Sequence, residues 1–318
     1  MRPVLVDAAL YDAATVEKVE RLLELLSEFA RDPFLQPRLV LHGGTALNLF
    51  HGPMPRLSVD IDLLYAGSPE REVMLAERPL VEDGIRRIAK ALGYQVGDVK
   101  PDVDAHAGRT FKLAYKGGRS GPGKIKIDAI FVDRVPLMGS VSRWVERADP
   151  SVSFRCVQPG ELVARKVKAL VERKRPAVRD VFDVAWWGRL DGLDGPLFRA
   201  LVTYFFSLSE PFPTRFRQLD SGVLSRFDDL ESVVRTDLLP VLPSGHEMDT
   251  DAILGRVGRL LDEWGHTTAD QDEYLRRLDE EVLFSPELLF RDWPEVLDRA
   301  RLDPVMTRKC DNLRGRAT

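Results

Sequence analysis

Arg56-Leu-Ser-Val-Asp-Ile-Asp-Leu63 is the stretch on which the prediction of the fold depends. Residues 60–65 have the pattern of a β-strand, and side chains two apart on a strand point to the same face. Asp60 and Asp62 therefore project together, while the apolar residues beside them pack on the other face. Two carboxylates this close repel each other unless a cation lies between them. Their hard oxygen atoms suit Mg²⁺, although the same pair on an ordinary surface strand binds no metal.

A second predicted strand carries a third acidic side chain. In Lys124-Ile-Lys-Ile-Asp-Ala-Ile-Phe131 the alternation places Lys124, Lys126 and Asp128 on one face and apolar residues on the other. If this strand lies beside the first, three carboxylates can hold two metal ions, an arrangement that stabilises the attacking and leaving oxygens in phosphoryl transfer. The alternative is an ordinary amphipathic strand with Asp128 on its solvent face.

A short strand, two glycines and a helix follow one another in Arg38-Leu-Val-Leu-His-Gly-Gly-Thr-Ala-Leu-Asn-Leu-Phe50. Glycines let backbone N–H groups approach a phosphate closely, and the N-terminus of a helix favours negative charge. Gly43, Gly44 and Thr45 are therefore candidates for binding a nucleotide. No Gly-Lys-Ser/Thr follows, so this is not a Walker P-loop. A tight turn before a helix that begins at Thr45 would have the same sequence.

A predicted helix over 159–173 carries two candidate lysines. Lys166 borders the apolar stripe of this helix, so its side chain can reach into a cleft, whereas a lysine that extends to solvent is the alternative. Lys168 competes for the same role. Downstream, Asp180 and Asp183 lie three residues apart on one predicted helix face, where they can orient Lys166. A helix cap or a surface ion pair would explain these two acids equally well.

Strand patterns dominate the first half of the chain, with a helix predicted over 80–92, and helical patterns follow from about residue 155. Strand patterns over 110–116 and 124–132, joined by a Gly/Ser/Pro-rich turn over 117–123, predict an antiparallel hairpin. With 318 residues the chain is long enough for two domains, each with its own core. No apolar run approaches the roughly 20 residues that span a bilayer, and the N-terminus does not resemble a signal peptide. We therefore expect a cytoplasmic protein with no membrane partner. Cys156 and Cys310 are the two cysteines, which indicates neither a disulfide framework nor a zinc site.

The net charge of −4 conceals a separation of charge along the chain. Residues 219–300 contain twenty acidic and eight basic side chains, so the remainder carries a net charge of +8. Separated charge of this kind can direct a polyanion such as RNA to one face, and the basic stretches 112–126 and 165–179 are the candidates for that face. The alternative is that the acidic helices are simply well solvated.

Taken in order, the motifs resemble the AbiEii/AbiGii nucleotidyltransferase toxins, a family that includes the MenT-type toxins. The resemblance covers about residues 39–190, roughly half of the chain, and is carried by His42-Gly-Gly-Thr-Ala-Leu47, Arg56-Leu-Ser-Val-Asp-Ile-Asp-Leu63, Lys126-Ile-Asp128, Ala164-Arg-Lys-Val-Lys-Ala-Leu170 and Arg179-Asp-Val-Phe-Asp183. It implies an α+β protein with a DNA polymerase β-like nucleotidyltransferase core and a mixed sheet in residues 1–155. A helical domain, residues 156–318, would follow and contribute Lys166, Asp180 and Asp183 to the cleft.

The resemblance also implies roles for individual residues. The metal ligands, for Mg²⁺ or Mn²⁺, would be Asp60, Asp62 and Asp128, and the catalytic set would add Lys166. The residues that bind the NTP substrate would be Gly43, Gly44, Thr45, Arg56, Ser58, Lys166, Asp180 and Asp183. For Ser58, a hydroxyl satisfied by nearby backbone is the alternative.

The implied activity is transfer of a nucleoside monophosphate from an NTP to an acceptor hydroxyl, with release of pyrophosphate. Members of the MenT type add nucleotides to the 3′ end of tRNA, which would block aminoacylation and translation, so the expected partners are tRNA or another RNA and a cognate antitoxin. Two alternatives stay open, because a fold does not determine a substrate. One is a nucleotidyltransferase that modifies a protein or a small molecule, and the other is a non-catalytic nucleic-acid-binding or antitoxin-like module.

Overall fold

A computed structural model of the chain describes residues 2–52, 54–97, 108–118, 121–188, 195–209, 216–227 and 229–316. The chain divides into two compact units. The first consists of Met1–Gln158 and Leu239–His246, and the second of Pro159–Leu238 and Glu247–Thr318. Within the described ranges, no helix is long and apolar enough to cross a membrane.

The first unit is built on β-strands. They are β1 (Val4–Leu5), β2 (Leu39–His42), β3 (Ile61–Tyr65), β4 (Gln95–Gly97), β5 (Gly108–Tyr115), β6 (Gly123–Ile130), β7 (Ser140–Val145), β8 (Ala148–Asp149) and β9 (Val152–Val157). Seven of them form one sheet in the order β4-β5-β6-β3-β2-β9-β7, and β1 pairs with β8. The β3–β6 and β2–β9 pairs are parallel and the others antiparallel, so the sheet is mixed, as predicted.

Three helices accompany this sheet: α1 (Ala13–Arg31), α2 (Gly43–Thr45, continued by a π-helical turn over Ala46–Phe50) and α3 (Arg71–Ala91). The carboxylate of Asp12 caps α1 by accepting hydrogen bonds from two backbone N–H groups of its first turn. The apolar face of α1 is fully buried and contacts β6, β9 and α3. α3 begins at Arg71, well before the predicted start at residue 80, and continues through Pro79.

The predicted antiparallel hairpin is confirmed as β5 and β6. Lys112 pairs with Lys126 in its register, and every second side chain is buried. This alternation arises because one face of the two strands packs in the core while the other faces solvent. The predicted turn over 117–123 includes residues 119 and 120, which lie outside the described part of the chain.

The second unit is helical. Its α-helices are α4 (Pro159–Glu172), α5 (Val178–Trp187), α6 (Pro196–Ser207), α7 (Leu230–Val233), α8 (Thr250–Trp264), α9 (Ala269–Glu280), α10 (Glu287–Phe290), α11 (Pro294–Arg301) and α12 (Pro304–Arg316). The apolar helix α6 is central, because it contacts α4, α9 and α10 and is buried over almost its whole length. The Tyr204 hydroxyl of α6 donates a hydrogen bond to Asp303 over 2.6 Å. The predicted α+β class with a helical C-terminal region is confirmed.

A short segment, Leu239–His246, belongs to the first unit, although the residues before and after it in the sequence belong to the second. The Leu57 N–H donates to the carbonyl of Val241 over 2.8 Å, and the Thr15 hydroxyl donates to the carbonyl of Pro240 over 2.9 Å. The predicted division into residues 1–155 and 156–318 does not anticipate this return. The roles assigned to those two parts stay predictions.

Candidate active site

Two carboxylates lie side by side on neighbouring parallel strands. β3 and β6 pair in a register that sets Asp62 opposite Asp128. Neighbouring strands lie about 4.8 Å apart. Asp62 and Asp128 are therefore direct neighbours across the β3–β6 pair. Asp60 immediately precedes β3. The structure therefore brings the two acidic strands together, which is the condition under which three carboxylates can share a site.

The Asp128 carboxylate has a neighbour on each side. The Thr110 hydroxyl, directly across on β5, donates to Asp128 Oδ1 over 2.6 Å. Lys126 Nζ lies 2.5 Å from Asp128 Oδ2 and forms an ion pair with it. Both carboxylate oxygens are thus engaged, one by a neutral hydroxyl and one by an ammonium group.

The other two carboxylates also affect the pKa of Lys126. Partial burial lowers its pKa, but the hydrogen bond to Asp128 and the negative charges of Asp128, Asp60 and Asp62 outweigh burial, so its pKa is raised above the ordinary value. The ammonium group stays charged as a result. Its side chain is 49% exposed.

Gly43 is the point at which the glycine turn meets the acidic strands. β2 ends at His42, which pairs with Asp62 on β3. Gly43 has a φ of +69°, a conformation that side chains rarely adopt, and a Cβ atom there would collide with Asp62 Oδ2. Gly44 is less constrained, since a Cβ atom would lie 3.0 Å from the Ser58 hydroxyl.

Three buried polar side chains connect the glycine turn to the segment before β3. The Thr45 hydroxyl donates to the carbonyl oxygen of Asp60 and lies 3.0 Å from the Ser58 hydroxyl. The Arg56 guanidinium is 2% exposed and donates to the Leu57 carbonyl over 2.9 Å. β3 begins only after Asp60, so strand alternation does not determine where the Ser58 side chain points. Ser58 is positioned instead by its contact with the Thr45 hydroxyl.

In the second unit, Lys166 on α4 contacts both predicted acids on α5. Its Nζ lies 2.6 Å from Asp180 Oδ1 and 2.8 Å from Asp183 Oδ2, and its side chain is only 11% exposed. Arg173 lies 2.5 Å from the other oxygen of Asp180. Lys168 instead pairs with Glu172 over 2.6 Å within α4. Of the two candidate lysines, Lys166 is therefore the one held in a defined orientation between two acids.

Asp62 and Asp128 fit a magnesium or manganese ion by their chemistry. In the described ranges, no three His, Cys, Asp or Glu side chains are close enough together to form a metal cage. Mg²⁺ does not need one, because it is bound by one or two carboxylates together with substrate phosphates. Asp62 and Asp128 supply two such carboxylates at paired positions.

A cavity of about 680 Å³ lies elsewhere in the first unit. The polar and aromatic side chains that line it include Asp7, Tyr11, His51, Trp144 and Arg147. None of the predicted site residues lines this cavity. The candidate site is therefore identified by its chemistry and its strand register.

Comparison with known families matches residues 24–254 to the family described as nucleotidyl transferase AbiEii toxin of type IV toxin–antitoxin systems. The match covers more than two thirds of the chain and includes the glycine turn, all three carboxylates and Lys166. The chain belongs to the AbiEii family. It is accordingly a nucleotidyltransferase toxin, and the alternative of a non-catalytic module is wrong.

A solved structure with the same fold supports the α+β class. It is MenT4, a nucleotidyltransferase toxin from Mycobacterium tuberculosis H37Rv, which matches with a TM-score of 0.59 and 17% identity over 91% of this chain and 93% of that one. The E. coli MS115-1 CdnC:HORMA-deltaN complex matches with a TM-score of 0.24 and 11% identity over 91% of both chains, which is too low to support an argument. Among curated proteins, no sequence matches.

Sequence reasoning missed the contacts that two polar residues make with Asp128 in this AbiEii site. Lys126 shares a strand face with Asp128 in the alternating pattern, so the signal was present in the sequence. Thr110 gave no such signal, because its position opposite Asp128 follows from the pairing of β5 with β6.

Gly43→Ala should disturb the site more than Gly44→Ala. The left-handed backbone at Gly43 costs an L-residue about 1–2 kcal/mol, and the new methyl group displaces Asp62. We expect a lower free energy of unfolding for Gly43→Ala in urea titrations, together with loss of nucleotide transfer. Gly44→Ala is the matched control, since Gly44 lacks a positive φ. Equal stability of the two variants would contradict the constraint at Gly43.

Proposed function

We propose that this AbiEii-family toxin transfers a nucleoside monophosphate from an NTP to an RNA acceptor, the 3′ end of tRNA, and thereby blocks aminoacylation and translation. The observation that carries the proposal is the in-register pair of Asp62 and Asp128 beside the Gly43 turn. In the reaction, the acceptor hydroxyl oxygen attacks the α-phosphorus, the bond from that phosphorus to the β-phosphate oxygen breaks, and pyrophosphate leaves. The hydroxyl proton passes to solvent.

The proposed roles of the residues follow from their chemistry. Asp60, Asp62 and Asp128 would hold Mg²⁺ or Mn²⁺, which when bound neutralises the charge that develops on the phosphates. Gly43 and Gly44 allow the backbone to approach the triphosphate, and their neighbours at the turn complete the NTP site: Thr45, Arg56 and Ser58. Lys166 would contact the phosphates, with Asp180 and Asp183 as positioning residues that hold its ammonium group.

An RNA acceptor is supported by the solvent face of the β5–β6 hairpin. Lys112, Lys124 and Lys126 are all exposed on it, and Lys112 lies directly across from Lys126. Strand alternation places Lys124 and Lys126 on the same face as Asp128. A row of cations that ends at a carboxylate site suits a phosphate backbone whose terminal hydroxyl is the acceptor.

The acceptor can be identified directly. We expect purified protein, incubated with total RNA, Mg²⁺ and each α-labelled NTP in turn, to label RNA of tRNA size at its 3′ end, and Asp62→Asn to abolish the labelling. Asp62→Asn keeps the shape of the side chain, so its folded state is verified by circular dichroism. Label found only in protein would contradict the RNA acceptor and favour the protein-modifying alternative. Labelling by folded Asp62→Asn protein at the wild-type rate would remove Asp62 from the site.

Replacing the two lysines of α4 separately tests the role of Lys166. Lys166→Met should reduce turnover by at least tenfold, because the ammonium group held by Asp180 and Asp183 is lost. Lys168→Met removes the same charge two residues away and should have less than a twofold effect, since Lys168 pairs with Glu172 of its own helix. The measurement is the initial rate of nucleotide transfer at saturating NTP. A larger effect at Lys168 would reverse the assignment.

Salt dependence tests the basic face. Each phosphate neutralised on a single strand contributes about 0.7 to the slope of log affinity against log salt. Lys124→Ala should therefore weaken RNA binding and reduce this slope by about 0.7. Lys90→Ala removes an exposed cation from α3, outside the hairpin, and should leave the slope unchanged. An RNA affinity that does not vary with salt would contradict the proposed contact.

A further inference from the structure

Lys126 makes a contact with Asp128 that RNA binding by the hairpin face does not explain. Its ammonium group lies 2.5 Å from Asp128 Oδ2, an oxygen that faces away from the Thr110 hydrogen bond on Oδ1. The charges of Asp60 and Asp62 also act on it. One cation is thus paired directly with Asp128, at the site proposed to hold the metal.

The balance of charge at the site explains the ion pair between Lys126 and Asp128. Carboxylates held together by strand register repel one another, and the repulsion must be offset by a cation. The lysine offers one positive charge on a flexible, half-exposed side chain. A divalent ion offers two charges and prefers the same carboxylate oxygens. The ammonium group and the metal ion therefore compete for Asp128 Oδ2.

We propose that Lys126 is a built-in counter-ion of the proposed metal site through its ion pair with Asp128, and that a divalent cation must displace its ammonium group from Asp128 in order to bind. This inference rests on the proposed function, because it takes Asp60, Asp62 and Asp128 as the metal ligands. The lysine sets the metal concentration that the toxin requires and keeps the carboxylates paired below that concentration. The half-exposed side chain can move aside without any change in the strand that carries it.

Lys124 provides a matched control. It lies two residues before Lys126 on β6, on the same exposed face, and carries the same charge. Within the described residues, no ion pair of Lys124 is present, whereas Lys126 contacts Asp128 directly. A general electrostatic effect of a nearby lysine would be similar at both positions, but displacement of a direct contact would act at Lys126 alone.

The test is Mn²⁺ binding to metal-free protein, measured by calorimetry without NTP or RNA. Lys126→Met should bind Mn²⁺ about fivefold more tightly than wild type, which corresponds to about 1 kcal/mol, the upper value for an exposed ion pair. Lys124→Met should differ from wild type by less than twofold. Asp62→Asn should weaken binding and so locate the ion. Unchanged or weaker binding by Lys126→Met would overturn the proposal, as would equal tightening by Lys124→Met.

Thermal unfolding of the same proteins gives a second readout. Without metal, Lys126→Met should melt at a lower temperature than Lys124→Met, because its carboxylates have lost their counter-ion, and saturating Mn²⁺ should remove the difference. An equal melting temperature for the two metal-free variants would count against the counter-ion role.

These measurements separate the inference from the proposed function. Tighter Mn²⁺ binding by Lys126→Met in a protein that labels no RNA would support the counter-ion and contradict only the acceptor. Mn²⁺ binding that Asp62→Asn leaves unchanged would place the ion elsewhere and overturn the counter-ion together with the metal assignment.

Discussion

The repulsion between carboxylates that the sheet holds at paired positions is the constraint on which the site depends. Asp62 and Asp128 are fixed by the register of two central strands, and that register is set by buried neighbours such as Ile61 and Ile127, which are fully inaccessible. A slip of one residue would turn the apolar side chains to solvent and the acids to the core. Hydrophobic packing thus supplies the free energy that keeps like charges together.

The surroundings of the carboxylates are organised by the same constraint. Gly43 has no side chain where Asp62 approaches it, and the Thr45 hydroxyl fixes the backbone of Asp60. Lys126 brings a positive charge to the same place through its ion pair with Asp128. The site therefore combines a rigid arrangement of negative charge with one mobile positive charge.

Patterns within a short stretch of sequence predicted much of this arrangement. Alternation was sufficient for the β5–β6 hairpin, which has one face in the core. In β3 it holds only at the start, since Leu63, Leu64 and Tyr65 are all buried. Helical phase predicts that Lys166 borders the apolar stripe of its helix, whereas its ion pairs with Asp180 and Asp183 depend on the neighbouring helix. The family resemblance, and not periodicity, supplied the nucleotidyltransferase fold and the roles of the residues.

Other features depend on partners that are distant in sequence. β7 is an edge strand whose Trp144 is 61% exposed, and it is a strand because it pairs with β9, so its own residues did not predict it. The contact of Thr110 with Asp128 likewise requires the pairing of β5 with β6. α3 extends through Pro79, which local rules treat as a helix breaker. In each case tertiary packing outweighs the local preference.

The return of Leu239–His246 to the first unit has a consequence for synthesis of the chain. This segment supplies hydrogen-bond partners to backbone groups such as the Leu57 N–H. Those partners are translated almost two hundred residues after Leu57. The first unit thus cannot acquire its full set of hydrogen bonds while the nascent protein is still short. Translation must pass residue 246 before all of these backbone groups have their partners.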